Sequence, residues 1–445
     1  MTGRRHAVTG RRHAASDPQA GARGRLLVLT QVYAPDPTAV GQYLTDAAEA
    51  LAARGYAVRV LTSARGFDDP SQRYPLRETL RGVEVVRMPL ASFGKRTIAH
   101  RLAGMVAFLL QAVVRGLFTP RLEGIVVSTS PPLASFAAVL IGWVRRAPIT
   151  YWVMDLNPDQ MIELGRIREG ALSARVFDWF NRLILRRAAQ VVALDRFMAD
   201  RLCRKLDVSA KLTVMPPWPH GQHEEPVAHH ENPWRKEHGL EGKFVVMYSG
   251  NHALTNPIET VLDAAVAMQD REDLVFLFVG GGVRKRSVEE TLARHRPTNL
   301  VSLPYQPRDT IRYSLSAADL HVVTLGEAVV GCVHPCKVYG ALALGRPVLY
   351  VGPKPSHVTD LIAEDDPQRR IGWSLAHGDV EAAVGAIDHA RGLPPGELAE
   401  MGRRASRLVD ERFDTAEMIG RFCDAVDAAV AGHGPVTASA SAAVR

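Results

Sequence analysis

The segment VHPCKVYGALALGRPVL, residues 333–349, places a lysine at the beginning of a predicted helix that leads into a buried strand. Pro335 suits the first position of a helix, Gly345 suits its end, and the apolar run 348–351 follows. Lys337 therefore falls in the first helical turn, where its charge opposes the helix dipole at a cost of about 0.3–1 kcal/mol. A phosphate group bound there would offset that cost. A solvated lysine is the alternative interpretation.

Short apolar runs alternate with helix-length segments along the rest of the chain, a pattern typical of parallel sheets. The predicted strands of the first half are residues 26–30, 57–61, 83–88, 124–128, 149–154, 191–194 and 212–215. Those of the second half are residues 244–248, 274–279, 300–303, 320–324 and 348–351. The sequence therefore predicts an α/β protein with two Rossmann-like, doubly wound domains that face a central cleft.

Composition predicts the domain boundaries. A repeated TGRRHA and an Ala/Ser-rich end predict disordered tails, a run of Pro, His and Glu predicts a stiff linker, and a helical pattern closes the chain. The predicted units are a basic tail (1–24), a first domain (25–215), a linker (216–242), a second domain (243–410), a helix that crosses back to the first domain (411–430) and a tail (431–445).

The overall composition is that of a soluble globular protein, with 47% hydrophobic and 23% charged residues among 445. No secretory signal and no membrane-spanning run is predicted, and four scattered cysteines suit a reducing compartment, so we expect a cytoplasmic location. Cys332, His334 and Cys336 lie close together, but zinc usually needs four ligands and no second cluster supplies them. The sequence therefore predicts neither a metal nor a cofactor.

The net charge of +7 is unevenly distributed, because residues 1–215 carry 31 Lys and Arg against 17 Asp and Glu, whereas residues 216–445 carry 23 against 30. The basic half suits a phosphate-bearing acceptor or an anionic membrane, and without a recognised binding motif nucleic acid is not expected. The apolar stretch 98–118, flanked by arginines and a lysine, predicts a helix on the inner face of the cell membrane. A buried core helix is the alternative.

Glycines and cations follow two predicted strands of the second domain, where ligands of open parallel sheets bind. One loop is SGNH, and the other is a glycine turn backed by cations, which suits a diphosphate. Each signal is weak alone, but with Lys337 they converge on one face. The residues concerned are Ser249, Gly250, Asn251, His252, Gly280, Gly281, Gly282, Arg284 and Lys285.

In the first domain, Gly41 lies at the start of a predicted helix, where a missing side chain lets phosphate oxygens approach backbone amides. Asp155 and Asp159 follow the predicted strand 149–154 directly. A carboxylate at that strand end would face the cleft and accept a proton from a hydroxyl group. Capping of the next turn is the alternative role for either aspartate.

Five motifs in this order resemble the GT-B glycosyltransferases of family 4, specifically the subgroup similar to fucosamine transferases of surface-polysaccharide synthesis. They are WVMDLNPDQ (152–160), YSGNH (248–252), LPYQPRD (303–309), SAADLH (316–321) and P-x-K-x-Y, formed by Pro335, Lys337 and Tyr339. The resemblance spans about residues 25–430. It implies that the second domain binds a nucleotide-sugar donor, with Tyr305 and Gln306 among its contacts, and that the first binds a lipid-linked sugar or glycan acceptor.

The chain departs from the family pattern at the pair of glutamates spaced E-x7-E, whose second member holds the ribose. The matching positions are Cys332 and Gly340, so the ribose contact is unassigned. The sequence predicts a retaining, metal-independent transferase in which Lys337, with Arg284 or Lys285, stabilises the departing diphosphate. A sugar-nucleotide-binding pseudoenzyme and a sugar-nucleotide epimerase remain alternatives, and a dinucleotide oxidoreductase is disfavoured because no G-x-G-x-x-G follows the first strand.

Overall fold

A computed structural model describes residues 23–36, 38–66, 69, 71–90, 98–131, 133–219, 226–307, 309–362, 366 and 368–432. Within these residues the strands form two sheets. The first contains β1 (Arg25–Leu29), β2 (Ala57–Ser63), β3 (Arg77–Leu80), β4 (Val83–Met88), β5 (Leu122–Ser128), β6 (Ile149–Trp152), β7 (Gln190–Ala193) and β8 (Leu212–Val214). The second contains β9 (Phe244–Ser249), β10 (Leu274–Val279), β11 (Leu300–Leu303), β12 (Leu320–Thr324), β13 (Val348–Val351) and β14 (Gly372–Leu375).

Helices connect the strands and cover both sheets. Those of the first half are α1 (Ala39–Ala53), α2 (Ile98–Leu117), α3 (Ala134–Arg145), α4 (Asp159–Glu163), α5 (Leu172–Arg187) and α6 (Arg196–Lys205). Those of the second half are α7 (Pro233–Glu237), α8 (Glu259–Ala267), α9 (Lys285–His295), α10 (Ile311–Ser316), α11 (Lys337–Ala343), α12 (His357–Ile362), α13 (Val380–Gly392), α14 (Pro395–Arg412) and α15 (Thr415–Ala431). Short 3-10 helices lie at Ser209–Lys211, His229–Glu231 and Glu327–Val329.

The strand order is β3-β4-β2-β1-β5-β6-β7-β8 in the first sheet and β11-β10-β9-β12-β13-β14 in the second. Every described pair is parallel except β3 with β4, so the fold consists of two doubly wound Rossmann-like layers, as predicted. Parallel strands buried on both faces need continuous apolar residues, and β10 (LVFLFV) and β13 (VLYV) are buried throughout.

Two strands escaped the sequence prediction. β3 (RETL) is a polar edge strand whose residues are exposed or half-buried, so it lacks the apolar run used to find the others. Arg87, a buried arginine on β4, holds β3 in place by pairing with Glu78 of that strand. The same guanidinium group donates to the carbonyl oxygen of Ala34 over 2.6 Å. β14 (GWSL) is only four residues long and extends the second sheet beyond β13.

The predicted linker 216–242 is partly packed. Trp218 is fully buried, donates from Nε1 to Asp46 over 2.9 Å and lies edge-on to Tyr43 in the first domain. Trp234, at the start of α7, is buried in the second domain. Proline content alone gave no sign of these two anchors, and the exact limits of the domains and linker remain predictions.

The C-terminal helical pattern is two helices rather than one. Asp414 interrupts it by capping α15, where its side chain accepts from the Glu417 amide over 2.9 Å. α15 packs on the first sheet, with the rings of Phe422 and Trp152 at 4.2 Å. The chain therefore returns to the first domain after completing the second, which ties the two domains together. Residues 1–22 and 433–445, within the predicted tails, lie outside the described residues.

Candidate active site

A cleft of about 590 Å³ lies between the carboxyl ends of the two sheets. The first domain contributes the start of α1 and the loop after β6, and the second contributes the loops after β9 and β11 and the start of α11. Eight of the predicted site residues line it. They are Asp155, Ser249, Gly250, Asn251, Tyr305, Gln306, Pro335 and Lys337.

Lys337 is the first residue of α11 and projects into this cleft. Its Nζ is buried, has no hydrogen-bond partner among the described residues and lies 3.7 Å from the ring centroid of Tyr248. Burial lowers the pKa of this amine to about 7 from its usual 10.5. A buried ammonium supported only by an aromatic face is energetically costly, and a negatively charged group bound beside it would offset that cost.

The sequence predicted Pro335 as the first residue of the helix, and this prediction is wrong. Pro335 lies two residues before α11, in a turn where the Val338 amide donates to its carbonyl oxygen over 3.1 Å. At the other end Gly345 adopts a positive φ of +61° just after the helix, as predicted. The consequence is that Lys337 itself begins the helix.

The glycine loops pack against each other. A Cβ on Gly280 would lie 2.1 Å from the carbonyl oxygen of Gly250, and one on Gly282 would lie 2.4 Å from Oδ1 of Asn251. The amides of Gly250 and Gly280 do not point to a ligand, because they donate to Val279 and Leu303 and extend the strand ladder. These glycines therefore bring the loops after β9 and β10 together, and the backbone amides of Gly250 and Gly280 are used within the sheet rather than left for a phosphate.

The two predicted cations of the glycine turn are engaged elsewhere. Nζ of Lys285 donates to the carbonyl oxygens of Phe278 (3.1 Å) and Leu303 (2.7 Å), and burial lowers the pKa of this amine. Arg284 pairs with Glu259 on α8. Neither residue lines the cleft, so among the described residues that do, Lys337 is the single lysine or arginine.

His252 is also placed beneath the cleft rather than in it. Its ring is fully buried, tilted against Tyr248 at 4.8 Å, and its Nδ1 lies 3.3 Å from the carbonyl oxygen of Gly281. Burial, with the nearby lysines, lowers its pKa to about 4, so the imidazole is neutral and supports the loop.

Asp155 faces Lys337's domain from the first sheet. Its backbone amide donates to Oγ1 of Thr129 over 3.1 Å, which holds the loop after β6 against that after β5. Burial raises the pKa of its carboxyl group to about 6. Asp159 instead pairs with Lys205 at 2.8 Å and does not line the cleft. Of the two aspartates considered as proton acceptors, only Asp155 therefore lines the cleft.

Gly41 lies in the first turn of α1, where its amide donates to the Thr38 hydroxyl over 3.3 Å. Its neighbours Ala39 and Val40 line the cleft, but Gly41 does not. A Cβ there would lie 2.8 Å from the same hydroxyl oxygen, so the glycine permits this close cap.

Tyr305 and Gln306 close the cleft on the side of β11. The Tyr305 hydroxyl donates to the carbonyl oxygen of Gly281 over 3.1 Å, and Oε1 of Gln306 accepts from Nε1 of Trp234 over 3.0 Å. Nε2 of Gln306 donates to the carbonyl oxygen of Pro304 over 3.1 Å. The loop is thus fixed before any ligand binds.

Sequence reasoning missed a buried chain of hydrogen bonds across the two domains. Oδ2 of Asp195, which caps α6, lies 2.7 Å from Nδ1 of His334. Nε2 of that histidine lies 2.8 Å from the Tyr339 hydroxyl, which in turn lies 2.6 Å from Nε2 of His357. Tyr339, predicted to contact the donor, belongs to this chain and does not line the cleft, whereas His334 does.

The same chain is the described cluster with metal-ligating side chains, because atoms of Asp195, His334 and His357 lie within 4.8 Å of one another. These groups satisfy each other through hydrogen bonds. Hydrogen bonding to the histidine lowers the pKa of Asp195 against the opposing effect of burial. The arrangement therefore serves as a contact between the two domains, made by residues close in sequence to Lys337.

The two positions that match the E-x7-E pair, of which the second was expected to hold the ribose, differ in their surroundings. Cys332 is buried, and its carbonyl oxygen accepts from the Leu156 amide over 2.7 Å. Gly340 lines the cleft, and a Cβ there would meet no atom within 4 Å. The cleft is therefore open where the family pattern places a glutamate.

Comparison with known proteins identifies the first domain. Residues 38–218 match the family model described as a glycosyl transferase 4-like domain. The chain carries a glycosyltransferase domain within a GT-B fold. Asp155 lies inside the matched part of this glycosyltransferase, and Lys337 lies beyond it.

Among curated protein sequences, the chain is 23% identical over 336 residues to the probable glycosyltransferase WbjE of Pseudomonas aeruginosa, covering 74% of this chain and 81% of that protein. It is 25% identical over 334 residues to the putative colanic acid biosynthesis glycosyl transferase WcaI of Escherichia coli, covering 72% and 81%.

Among solved structures, sucrose-phosphate synthase of Thermosynechococcus elongatus is similar, with a TM-score of 0.71 and 17% identity over 90% of this chain and 98% of that one. Anabaena HepE, solved in complex with UDP-glucose, has a TM-score of 0.68 and 14% identity over 91% and 99%. At these identities the similarity establishes the GT-B fold and no more.

Proposed function

We propose that this glycosyltransferase moves a sugar from a nucleotide-sugar, a UDP-sugar in the first instance, to a lipid-linked or polysaccharide acceptor. The observation that carries the proposal is the buried, unpartnered ammonium group of Lys337 in a cleft that Asp155 lines from the opposite domain. The solved complex of HepE with UDP-glucose supports UDP as the first nucleotide to test. WcaI, whose name includes colanic acid biosynthesis, supports a polysaccharide acceptor.

In the proposed reaction, the bond between the anomeric carbon and the diphosphate oxygen breaks, and its electron pair leaves with the diphosphate. A bond forms between that carbon and an acceptor hydroxyl oxygen, and the hydroxyl proton passes to the Asp155 carboxylate. Lys337 stabilises the charge that grows on the departing diphosphate. Retention of configuration, which the family resemblance implies, requires the acceptor to approach from the face that the diphosphate leaves.

The diphosphate also explains why Lys337 is buried. An ammonium group with a pKa near 7 is only partly charged in the empty cleft, and a bound dianion would favour its protonated form. The Lys337 amine therefore becomes fully protonated when the donor binds. The proposed mechanism uses this positive charge and no metal ion.

A thermal-shift screen with UDP-, GDP- and TDP-sugars tests the donor, followed by transfer of labelled sugar to membrane lipid extracts in buffer with and without EDTA. We expect one nucleotide class to stabilise the protein and transfer to persist in EDTA. Lys337→Ala should lower the transfer rate by at least a hundredfold. Lys243→Ala, directly before β9 and outside the cleft, serves as the matched control and should retain the wild-type rate.

A sugar-nucleotide-binding protein without turnover is the second candidate, favoured by the absence of glutamates at Cys332 and Gly340. Binding of a nucleotide-sugar without either transfer or hydrolysis would establish it. Conversion of the donor sugar without an acceptor would instead indicate an epimerase.

A further inference from the structure

The outer surface of α2 is apolar. Four large hydrophobic residues at helical spacing, Val106, Leu110, Val114 and Phe118, point to solvent along the helix and its last turn. Phe118 is 82% exposed and Leu110 61% exposed. A helix on the surface of a soluble domain normally presents polar side chains on its outer face, so this one requires a covering partner.

Two neighbouring helices extend the apolar surface. α3 packs between α2 and α5, and it exposes Trp143 (69%) and Val144 (56%). On α5, Leu172 is 76% exposed and Trp179 is 53% exposed. We call the exposed side chains of these three helices the apolar face, which consists of Val106, Leu110, Val114, Phe118, Trp143, Val144, Leu172, Val176 and Trp179.

The helices that form the apolar face are rich in arginine. Its three helices carry seven arginines (101, 115, 145, 175, 182, 186 and 187) and one acidic residue, Asp178. That carboxylate is neutralised by Arg182 at 2.7 Å and by Lys205. The pKa of Asp178 falls under the influence of these two cations against the effect of burial, so it stays ionised and paired. The three helices that expose these tryptophans therefore carry a strong excess of positive charge.

We propose that the apolar face docks on a lipid bilayer that contains anionic headgroups, with the side chains of α2, α3 and α5 inserted into the interfacial region. Indole rings favour that region because they are apolar with one polar edge, and arginines beside it attract anionic lipid. A second copy of this chain is disfavoured as the occupant, because a symmetric contact would bring fourteen arginines together with two acids, twice the count for one chain.

The contact lies in the plane of the membrane. Within the part of the chain that the structure describes, no helix is long and apolar enough to cross a bilayer. A contact with the membrane surface is consistent with the lipid-linked acceptor of the proposed function. The docking proposal rests on the proposed function in this one respect.

Vesicle flotation of the full chain tests the proposal, with phosphatidylcholine alone compared with phosphatidylcholine that contains phosphatidylglycerol at about a third of the lipid. We expect at least tenfold stronger binding to the anionic vesicles, lost at high salt because exposed charges are then screened. The double variant Leu110→Ser and Phe118→Ser should bind at least tenfold more weakly, or about 1.4 kcal/mol. Leu76→Ser, an exposed leucine outside the face, is the matched control and should bind like the wild type.

Equal binding of the double variant and the wild type would overturn the proposal, as would failure of the wild type to bind anionic vesicles. A wild-type dimer in sedimentation that becomes a monomer in the double variant would also overturn it, because a second copy would then cover the face. Calorimetric binding of the nucleotide found in the screen separates this result from the proposed function. The double variant should bind that nucleotide normally, since neither residue lines the cleft.

Discussion

Replacing Lys337 with methionine should stabilise the empty protein. Burial lowers the pKa of this amine to about 7 in the folded state, against 10.5 for an ordinary lysine. Between these two values the unfolded chain binds more protons than the folded one, so this group's contribution to stability rises with pH across that window. Below pH 7 the penalty is fully expressed, and above pH 10.5 it vanishes.

The magnitude follows from the pKa difference, since one pKa unit is equivalent to about 1.36 kcal/mol. At pH 7 the buried lysine costs up to about 4 kcal/mol, and at pH 9 about 2 kcal/mol. Methionine fills the same space beside Tyr248 without a charge to desolvate. Lys337→Met should therefore raise the free energy of unfolding by these amounts, with the larger gain at pH 7.

Urea unfolding of wild type and Lys337→Met at pH 7 and pH 9 measures both differences, and Lys243→Met controls for the loss of one lysine. The reasoning would be refuted by a variant less stable than the wild type at pH 7, or by equal differences at the two pH values. The first result would mean that Lys337 has a protein partner, and the second that its amine keeps an ordinary pKa.

Three further predictions concern the rest of the site. Asp155→Asn should remove the acidic limb of the kcat/KM profile near pH 6, because burial raises the pKa of this carboxyl group to about 6 and only its ionised form accepts a proton. Transfer rates measured from pH 5 to pH 8 check this prediction. An acidic limb that is unchanged in the variant would exclude Asp155 as the base. Asp195→Asn should lower the free energy of unfolding in urea by about 2–3 kcal/mol, because it weakens a buried, charge-assisted hydrogen bond between the domains. The control Asp360→Asn changes a more exposed interdomain ion pair and should lower it by less than about 1 kcal/mol. Equal effects of the two variants would contradict the role of Asp195 in joining the domains. Gly280→Ala should lower the melting temperature more than Gly239→Ala, because its new methyl group would lie 2.1 Å from a carbonyl oxygen, whereas the control position has positive φ but open space; a reversed order would mean that the loops are not in contact.

The parallel core could be read from the sequence because strands buried on both faces leave continuous apolar runs. β10 and β13 were predicted within their observed bounds for this reason. β3 was missed because an edge strand exposed to solvent keeps polar residues such as Arg77 and Glu78. The break before α15 was also missed, since one capping residue, Asp414, interrupts an otherwise continuous helical pattern.

The residues that line the cleft could be predicted where a loop directly follows a strand. They could not be predicted where tertiary contacts determine the direction of a long side chain. Asp155 and Lys337 line the cleft as their positions after β6 and at the start of α11 suggested. Lys285 follows a glycine turn in sequence, yet its amine turns back to two carbonyl oxygens that the sequence does not associate with it. Asp195 and His334 are 139 residues apart, so no local pattern connected them.

The most direct measurement of the central claim is calorimetric titration with the nucleoside diphosphate found in the screen and with the corresponding monophosphate, in wild type and in Lys337→Met. We predict that the wild type binds the diphosphate at least tenfold more tightly than the monophosphate and that the variant largely loses this preference. A variant that keeps the full preference would show that the phosphates are held elsewhere, which would contradict the assignment of Lys337 as the group that binds the donor diphosphate.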